Sequence, residues 1–398
     1  MRRPSTLLLL FTTGALMTVS ALAMDVMLPA FPTMAADLGV NDAQIQRVLI
    51  VFTLGYALPH LMVGSAADRY GRRPVLVAGL LVYALGSIMC LLANDYTSLL
   101  TGRFIQGMGS AAAPVLARAV LRDLYSGREL GRMMSFAMVF FSAAPLIAPT
   151  IGALILGLGD WHLLFVFLLV VAVFMLGLVL LVLPETLPER DPDALSPKGI
   201  FRNARTLFTD PRSAWSVVIL TMGFGTLMAY LSSAPGIYIN HYGLNEGQFA
   251  LVFAVISAIS FVAQPLNARL LNTYTPVQIL RVVLPVFVAV ALVLVFQTAL
   301  GLDTVWSFAA NFMAFFACFS ITLANSMTMV LEPHHARAGM ASGVSGFVQL
   351  GAGTILGSVI GFFAAANPVG LAVGIAVLLS GALFAFPFAA RAYADTPL

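Results

Sequence analysis

Gly64-Ser-Ala-Ala-Asp68-Arg69-Tyr-Gly71-Arg72-Arg73-Pro74 is a short charged stretch between two long apolar runs, 47–66 before it and 75–93 after it. Each run is as long as a helix needs to cross hydrocarbon, about 17–25 residues. Four charges in six positions cannot lie in the lipid, so the stretch reads as a tight turn at a membrane face. Outward from it, ten more segments pass the same test, giving twelve at 8–31, 47–66, 75–93, 97–120, 133–155, 162–183, 214–238, 248–268, 279–299, 305–330, 340–365 and 368–390. They are numbered here as spans 1 to 12. The expected fold class is an all-α integral membrane protein. One long polar stretch, Pro184 to Pro211, divides the spans six and six. The expected domains are an N-terminal six-helix bundle over 1–185, a linker over 186–212 and a C-terminal six-helix bundle over 213–398.

Composition agrees. Of 398 residues, 60% are hydrophobic and 9% charged, against about 25% charged in a soluble domain. A pI near 9.0 raises nucleic acid as a partner. The 20 basic residues are too few and scattered for that, and topology accounts for them. With the N-terminus placed in the cytoplasm, Arg2, Arg3, Arg69, Arg72, Arg73, Arg122, Arg128, Arg132, Arg190, Lys198, Arg202, Arg205, Arg212, Arg269, Arg281, Arg337 and Arg391 fall on the cytoplasmic side, and Arg47 at an outer loop. By the positive-inside rule both termini are cytoplasmic, with the linker on the same side. Met1-Arg2-Arg3 followed by an apolar stretch ending Ala21-Leu22-Ala23 looks like a secretory signal. The apolar run continues to Phe31, so an uncleaved first span is expected. Cys90 and Cys318 sit in apolar runs and read as free thiols, a disulfide between them being the alternative.

The seventeen carboxylates sort to span ends with one exception, Asp25 in span 1. A charge at the bilayer centre costs several kcal/mol and marks a functional site by default. Burial favours the neutral form of a carboxyl and a nearby cation favours the charged form. Such a group can therefore take up and release a proton as its surroundings change; a static buried ion pair is the other reading. Its expected partner is Arg103 in span 4, which a rise of about 1.5 Å per residue puts at matching depth. Arg118, further down span 4, either attracts anions and helps close the inner mouth or snorkels to the interface. His60 in span 2 can titrate near neutral pH or serve as hydrogen-bonded structure. Pro145 and Pro149 in span 5 remove backbone donors, which suits a hinge and also suits plain packing.

Three motifs carry a resemblance. The stretch from Gly64 to Arg73 resembles the G-x-x-x-D-R-x-G-R-R signature of the major facilitator superfamily. Arg103-Phe-Ile-Gln106-Gly107-Met-Gly109 is similar to its span 4 motif. Ala144-Pro145-Leu-Ile-Ala148-Pro149-Thr-Ile-Gly152 resembles its span 5 antiporter motif in part, with Ala148-Pro149 for Gly-Pro and Gly152-Ala153 for Gly-Gly. Met24-Asp25-Val-Met-Leu28-Pro29, Leu121-Arg122-Asp123-Leu124, Leu183-Pro184-Glu185-Thr186-Leu187 and Glu332-Pro333 with Arg337-Ala338-Gly339 resemble the Bcr/CflA branch of drug:proton antiporters. His60 departs from that branch, which usually has Gln there.

The resemblance implies a major facilitator fold of two pseudo-symmetric bundles. It also implies proton-driven export of small amphipathic drugs such as phenicols by alternating access, from an inner (plasma) membrane, by a monomer. Asp25 would carry the proton, with Arg103 and His60 as coupling candidates. Gly64, Asp68, Arg69, Gly71, Arg72, Arg73, Arg122 and Asp123 would form the gating motif, Gly64 by close helix approach, Arg72 by reaching Asp123 and Asp68 by docking at a helix N-terminus. Pro145, Pro149 and Gly152 would form the hinge. A drug cavity would be mostly apolar with few polar groups, drawn from Asp25, Tyr56, Arg103, Gln106, Phe141, Tyr230 and Asn311. Phe136, Phe140, Phe224, Phe253, Gln264 and Asn325 are further candidates, and aromatics at helical spacing also serve simple packing. A carrier exporting a native metabolite such as an amino-acid derivative or siderophore is the alternative. A membrane enzyme or receptor is a third reading. It has no soluble domain, no Ser/His/Asp or metal constellation and no use for His334-His335 beyond a loop. No cofactor is expected, and without a P-loop the energy source is an ion gradient.

Overall fold

The computed structural model describes residues 6–125, 127–187, 190, 205–364 and 367–394. Most of the expected linker lies outside them, with Arg2, Arg3, Lys198 and Arg202. The side chains of Arg128, Arg132, Phe141 and Arg337 lie outside them too.

Among the described residues the chain is helical throughout, with no strand. Eleven helical stretches are long and apolar enough to cross a membrane: Thr6–Asp37, Asp42–Tyr70, Arg72–Leu91, Tyr96–Leu124, His162–Val182, Pro211–His241, Glu246–Leu270, Pro276–Ala299, Val305–His334, Ala341–Ala364 and Pro368–Tyr393. The remaining span, the fifth, is the helix Gly127–Leu156, whose apolar part is Ala143–Leu156. The protein is thus a multi-pass membrane protein with the expected twelve spans.

Local sequence explains where the helices start. Asn41 with Gln44, Asp95 with Ser98, Asn245 with Gln248, Thr275 with Gln278 and Thr304 with Ser307 each form a capping box. In each, side chain and backbone satisfy one another's orphan donors. Proline explains where spans break. Proline has no N–H to give the carbonyl four residues earlier. The first helix stops at Asp25, four residues before Pro29. Span 4 is interrupted at Ala111, just after Ser110, which stands four before Pro114. Span 2 breaks between Ala57 and His60, around Pro59. Span 5 by contrast continues as one helix through Pro145 and Pro149.

The chain divides into two compact units, Met1–Val40 with Val51–Ile200, and Asn41–Ile50 with Phe201–Leu398. The tip of span 2 thus groups with the second unit, where Asn240 donates to Asp42 at 3.1 Å. In the first unit, the Trp161 indole donates to Asp37 at 2.9 Å, joining the ends of spans 1 and 6. The second unit is filled by an aromatic cluster in which Tyr230 stacks on Phe312 at 4.0 Å with Phe253, Phe315 and Phe316 around it. Cys90 and Cys318 are free thiols.

Candidate functional site

Asp25 is the last residue of the first helical segment of span 1, and it is buried, 5% exposed. After it the chain runs through Val26-Met27, a 3-10 turn at Leu28–Ala30, and a second short helix, Phe31–Asp37. The acid therefore stands at a break in a membrane helix. Transporter sites are commonly built at such breaks, because the unwound backbone offers free polar groups. The break has a close neighbour. A side chain on Gly152 of span 5 would collide with the Val26 carbonyl oxygen. Only a glycine lets span 5 pack against the segment that follows Asp25.

Arg103 is 1% exposed. Its guanidinium donates to the Ala23 carbonyl at 3.2 Å and to Gln106 Oε1 at 2.6 Å. It also lies over the Phe52 ring, 4.3 Å from the centroid, an attraction of cation for aromatic face. Gln106 passes the chain on, donating to Ser87 Oγ at 2.8 Å, and Ser87 donates to the Tyr83 carbonyl at 2.9 Å. One polar thread thus joins spans 1, 4 and 3. Matching depth holds, since Ala23 is two residues from Asp25. The expected face-to-face pair is not formed, however: no ion pair within 4 Å joins Asp25 to Arg103 among the described residues. Depth in a helix follows from residue count, whereas the direction a side chain points does not.

His60 donates from Nδ1 to the Tyr56 carbonyl at 2.9 Å, the only polarity that a carbonyl acceptor allows. Its ring also meets Tyr56 edge-on at 4.6 Å. Beside Pro59 the backbone ladder is short of a donor, and the imidazole supplies one.

The charged turn is a compact lock inside the first unit. Arg72 donates from Nε to Asp123 Oδ2 at 3.0 Å and pairs with Asp68 at 2.6 Å. Thr186 donates to the same Asp123 oxygen at 3.1 Å. Glu185, 113 residues further along, accepts from the backbone N–H groups of Arg72 at 2.9 Å and Arg73 at 3.2 Å. It also takes the N–H groups of Thr186 and Leu187, both at 3.0 Å. Span 3 starts at Gly71, which has no side chain to cap it. The carboxylate at the end of span 6 does that work, and an anion suits a helix N-terminus. Gly71 has φ of 107°, a region that strains other residues, and a Cβ there would also meet Glu185 Oε2 at 2.5 Å. Arg73 donates to the Leu180 carbonyl at 2.5 Å. Arg69 and Arg122 are exposed, with Arg69 over the Tyr70 ring.

Three expectations are corrected. Gly64 was assigned close helix approach, yet a Cβ there would meet nothing within 4 Å; close helix approaches fall instead at other glycines, among them Gly152 on Val26, Gly107 on Phe52 and Gly109 on Tyr83. Tyr230 is 0% exposed beneath its phenylalanine neighbours, so it packs rather than lines open space. Asn311 donates its amide to the Val290 carbonyl at 3.1 Å, bracing span 10 on span 9. Tyr56 is 9% exposed and Gln106 fully buried. Phe141 lies outside the described side chains. Glu185 was quoted for resemblance only. The signal for its role was a helix start on a glycine with no capping side chain nearby in sequence.

A family model described as Major Facilitator Superfamily matches residues 13–361. The bicyclomycin resistance protein homolog of Haemophilus influenzae is 29% identical over 381 residues, covering 95% of this chain and 96% of that protein. The multidrug resistance protein MdtL of Shewanella oneidensis is 31% identical over 329 residues, 82% and 81% of the two chains. A crystal structure of a D-xylose-proton symporter matches with a TM-score of 0.76 at 15% identity, covering 96% and 97% of the two chains. At that identity the likeness speaks for the fold alone.

Proposed function

The chain belongs to the Major Facilitator Superfamily and is a membrane transporter rather than an enzyme; we propose that it is a proton-coupled exporter of small amphipathic drugs. It works from the inner membrane as a monomer, with both termini in the cytoplasm. The names of the relatives, bicyclomycin resistance and multidrug resistance, support drugs as the cargo. The observation that carries proton coupling is Asp25, the one acid far from a span end among the described residues, buried at a helix break. A carboxyl there is neutral when dry and ionises when water or a cation reaches it. The break and the Gly152 contact give the segment after it a place to move. Arg103 and its thread to Gln106, Ser87 and Tyr83 hold the opposing surface in fixed geometry, and the Arg72–Asp123–Glu185 lock fastens the inner end of the same unit. The sequence carries no P-loop, so transport draws on an ion gradient, and a buried carboxyl that can exchange a proton favours the proton gradient.

The test is efflux from cells or everted vesicles carrying the protein, with a panel of amphipathic antibiotics that includes phenicols. Drug movement against its gradient that stops when an uncoupler collapses the proton gradient supports the reading. A protein that moves no drug in the panel yet exchanges an amino-acid derivative or siderophore for protons would replace it with a metabolite carrier.

A further inference from the structure

We propose that a cavity at the inner ends of spans 7, 10 and 12 binds an anionic phospholipid, its phosphodiester against Arg391 and Arg212 and an acyl chain along Phe388 and Phe384. This is a site for a lipid of the surrounding bilayer, not for cargo, and it stands apart from the exporter reading. The cavity measures about 780 Å³, within the range of small-molecule sites, about 300–1,000 Å³. Asp210, Arg212 and Trp215 line it from the start of span 7, His334 from the end of span 10, and Phe388 and Arg391 from span 12. All six belong to the second unit.

Two guanidiniums and one carboxylate share the wall, which leaves one positive charge (two minus one) with His334 neutral. Glu332, beside the lining Pro333, is not itself part of the wall. Asp210 is already committed to Arg212. It accepts from Nε at 3.1 Å, from Nη2 at 2.8 Å and from the Arg212 backbone N–H at 2.9 Å. That grip, with the Tyr393 ring 6.0 Å from the guanidinium, holds Arg212 in place. Arg391 is exposed and enters none of the four ion pairs among the described residues. A phosphodiester carries a single negative charge, and its oxygens suit the guanidinium fork. It matches the charge that is left over.

The apolar surroundings select a lipid rather than a free ion. Trp215 stacks on Phe388 at 4.8 Å, and Phe388 meets Phe384 edge-on at 5.5 Å. Phe384, Phe388 and Arg391 follow at intervals of four and three residues, so one face of span 12 carries two rings and then a cation. Phe384 is 71% exposed and Phe388 38%. An inorganic anion would use the arginines and leave that apolar rail bare, whereas a lipid covers both. Tryptophan at headgroup depth is a usual membrane anchor. With both termini in the cytoplasm this end meets the inner leaflet, and basic pockets between spans on that side take anionic headgroups.

The test is native mass spectrometry of the purified full chain in detergent, titrated with dioleoyl-phosphatidylglycerol or dioleoyl-phosphatidylcholine, with and without excess inorganic phosphate. Wild type is compared with Arg391→Gln, Arg391→Lys, Phe384→Ala and, as a control outside the cavity, Arg281→Gln; each variant changes an exposed side chain. Wild type should bind phosphatidylglycerol more tightly than phosphatidylcholine. Loss of a charged hydrogen bond in Arg391→Gln should raise the phosphatidylglycerol Kd about tenfold. Arg391→Lys and Phe384→Ala should raise it less, and Arg281→Gln should leave it unchanged. Equal affinity of wild type for the two lipids overturns the proposal, and so does an equal response to Arg391→Gln and Arg281→Gln. Displacement of the lipid by inorganic phosphate also overturns it, since that marks a site for free anions. Cargo does not enter the readout, so each of these failures leaves the exporter reading standing.

Discussion

The two units solve the same problem, holding six spans together, with different chemistry. In the first, ions and their partners are buried between helices. Arg103 reaches Ala23 and Gln106, and Arg72 is held by Asp68, Asp123 and, through its backbone, Glu185. In the second, the corresponding span 8 to span 10 contact is a neutral amide pair, with Asn325 donating to Asn267 at 2.7 Å. Among the described residues its ion pair, Arg212 with Asp210 at 2.8 Å, stands at the start of span 7. There the Arg212 guanidinium beside Asp210 holds its carboxyl below the usual range. The centre of the second unit is the Tyr230 aromatic cluster. Thr322 and Ser326, one turn apart on span 10, bury hydroxyls with no hydrogen-bond partner among the described residues. Buried charge requires exact partners, whereas apolar rings and single hydroxyls tolerate exchange of neighbours. The polar contacts of the first unit therefore fix one geometry around Arg103 and Arg72, while the aromatic centre of the second tolerates changes of neighbour.

That contrast can be broken by mutation. Arg103→Ala should have the largest effect on stability, about 3 kcal/mol or more, because it strands Gln106 Oε1 and a carbonyl in a dry site; thermal unfolding in detergent measures it. Gly152→Ala comes next. Overpacking against the Val26 carbonyl should cost about 2 kcal/mol and slow transport, read from unfolding and from efflux rates together. Glu185→Ala removes the cap on span 3 and should cost about 1 kcal/mol, while a cysteine probe near Gly71 becomes more reactive. Ser326→Ala should be the smallest. Deleting a hydroxyl without a partner is neutral or slightly stabilising, within about 0.5 kcal/mol. Should Arg103→Ala and Ser326→Ala prove alike, the difference between the units dissolves.

Much of this was legible in the sequence. The twelve spans follow from apolar runs, and the Arg72–Asp123 contact follows from two charges at neighbouring turns on one membrane face. Asp25 and Arg103 stand out because a charge within an apolar run is rare. The break at Asp25 was not read, although Pro29 was in view. The residues on both sides stay apolar, so hydropathy runs straight through a loss of helical hydrogen bonds. Glu185 was missed because its partners are backbone groups 112 and 113 residues away. Tyr230 and Asn311 were assigned to a cavity by residue type. A buried tyrosine and one lining a cavity have the same letter, and only the Phe253, Phe312 and Phe316 rings around Tyr230 decide between them.

The central claim is that the carboxyl at the break in span 1 carries the coupled proton. The direct test is drug-triggered proton release from everted vesicles with wild type, Asp25→Glu and Asp25→Asn, alongside drug binding to each purified protein. The account predicts that Asp25→Asn still binds drug but releases no proton and accumulates none against a gradient, while Asp25→Glu retains part of both. Proton release by Asp25→Asn equal to that of wild type would contradict it, and would leave Asp25 a structural residue at a helix break.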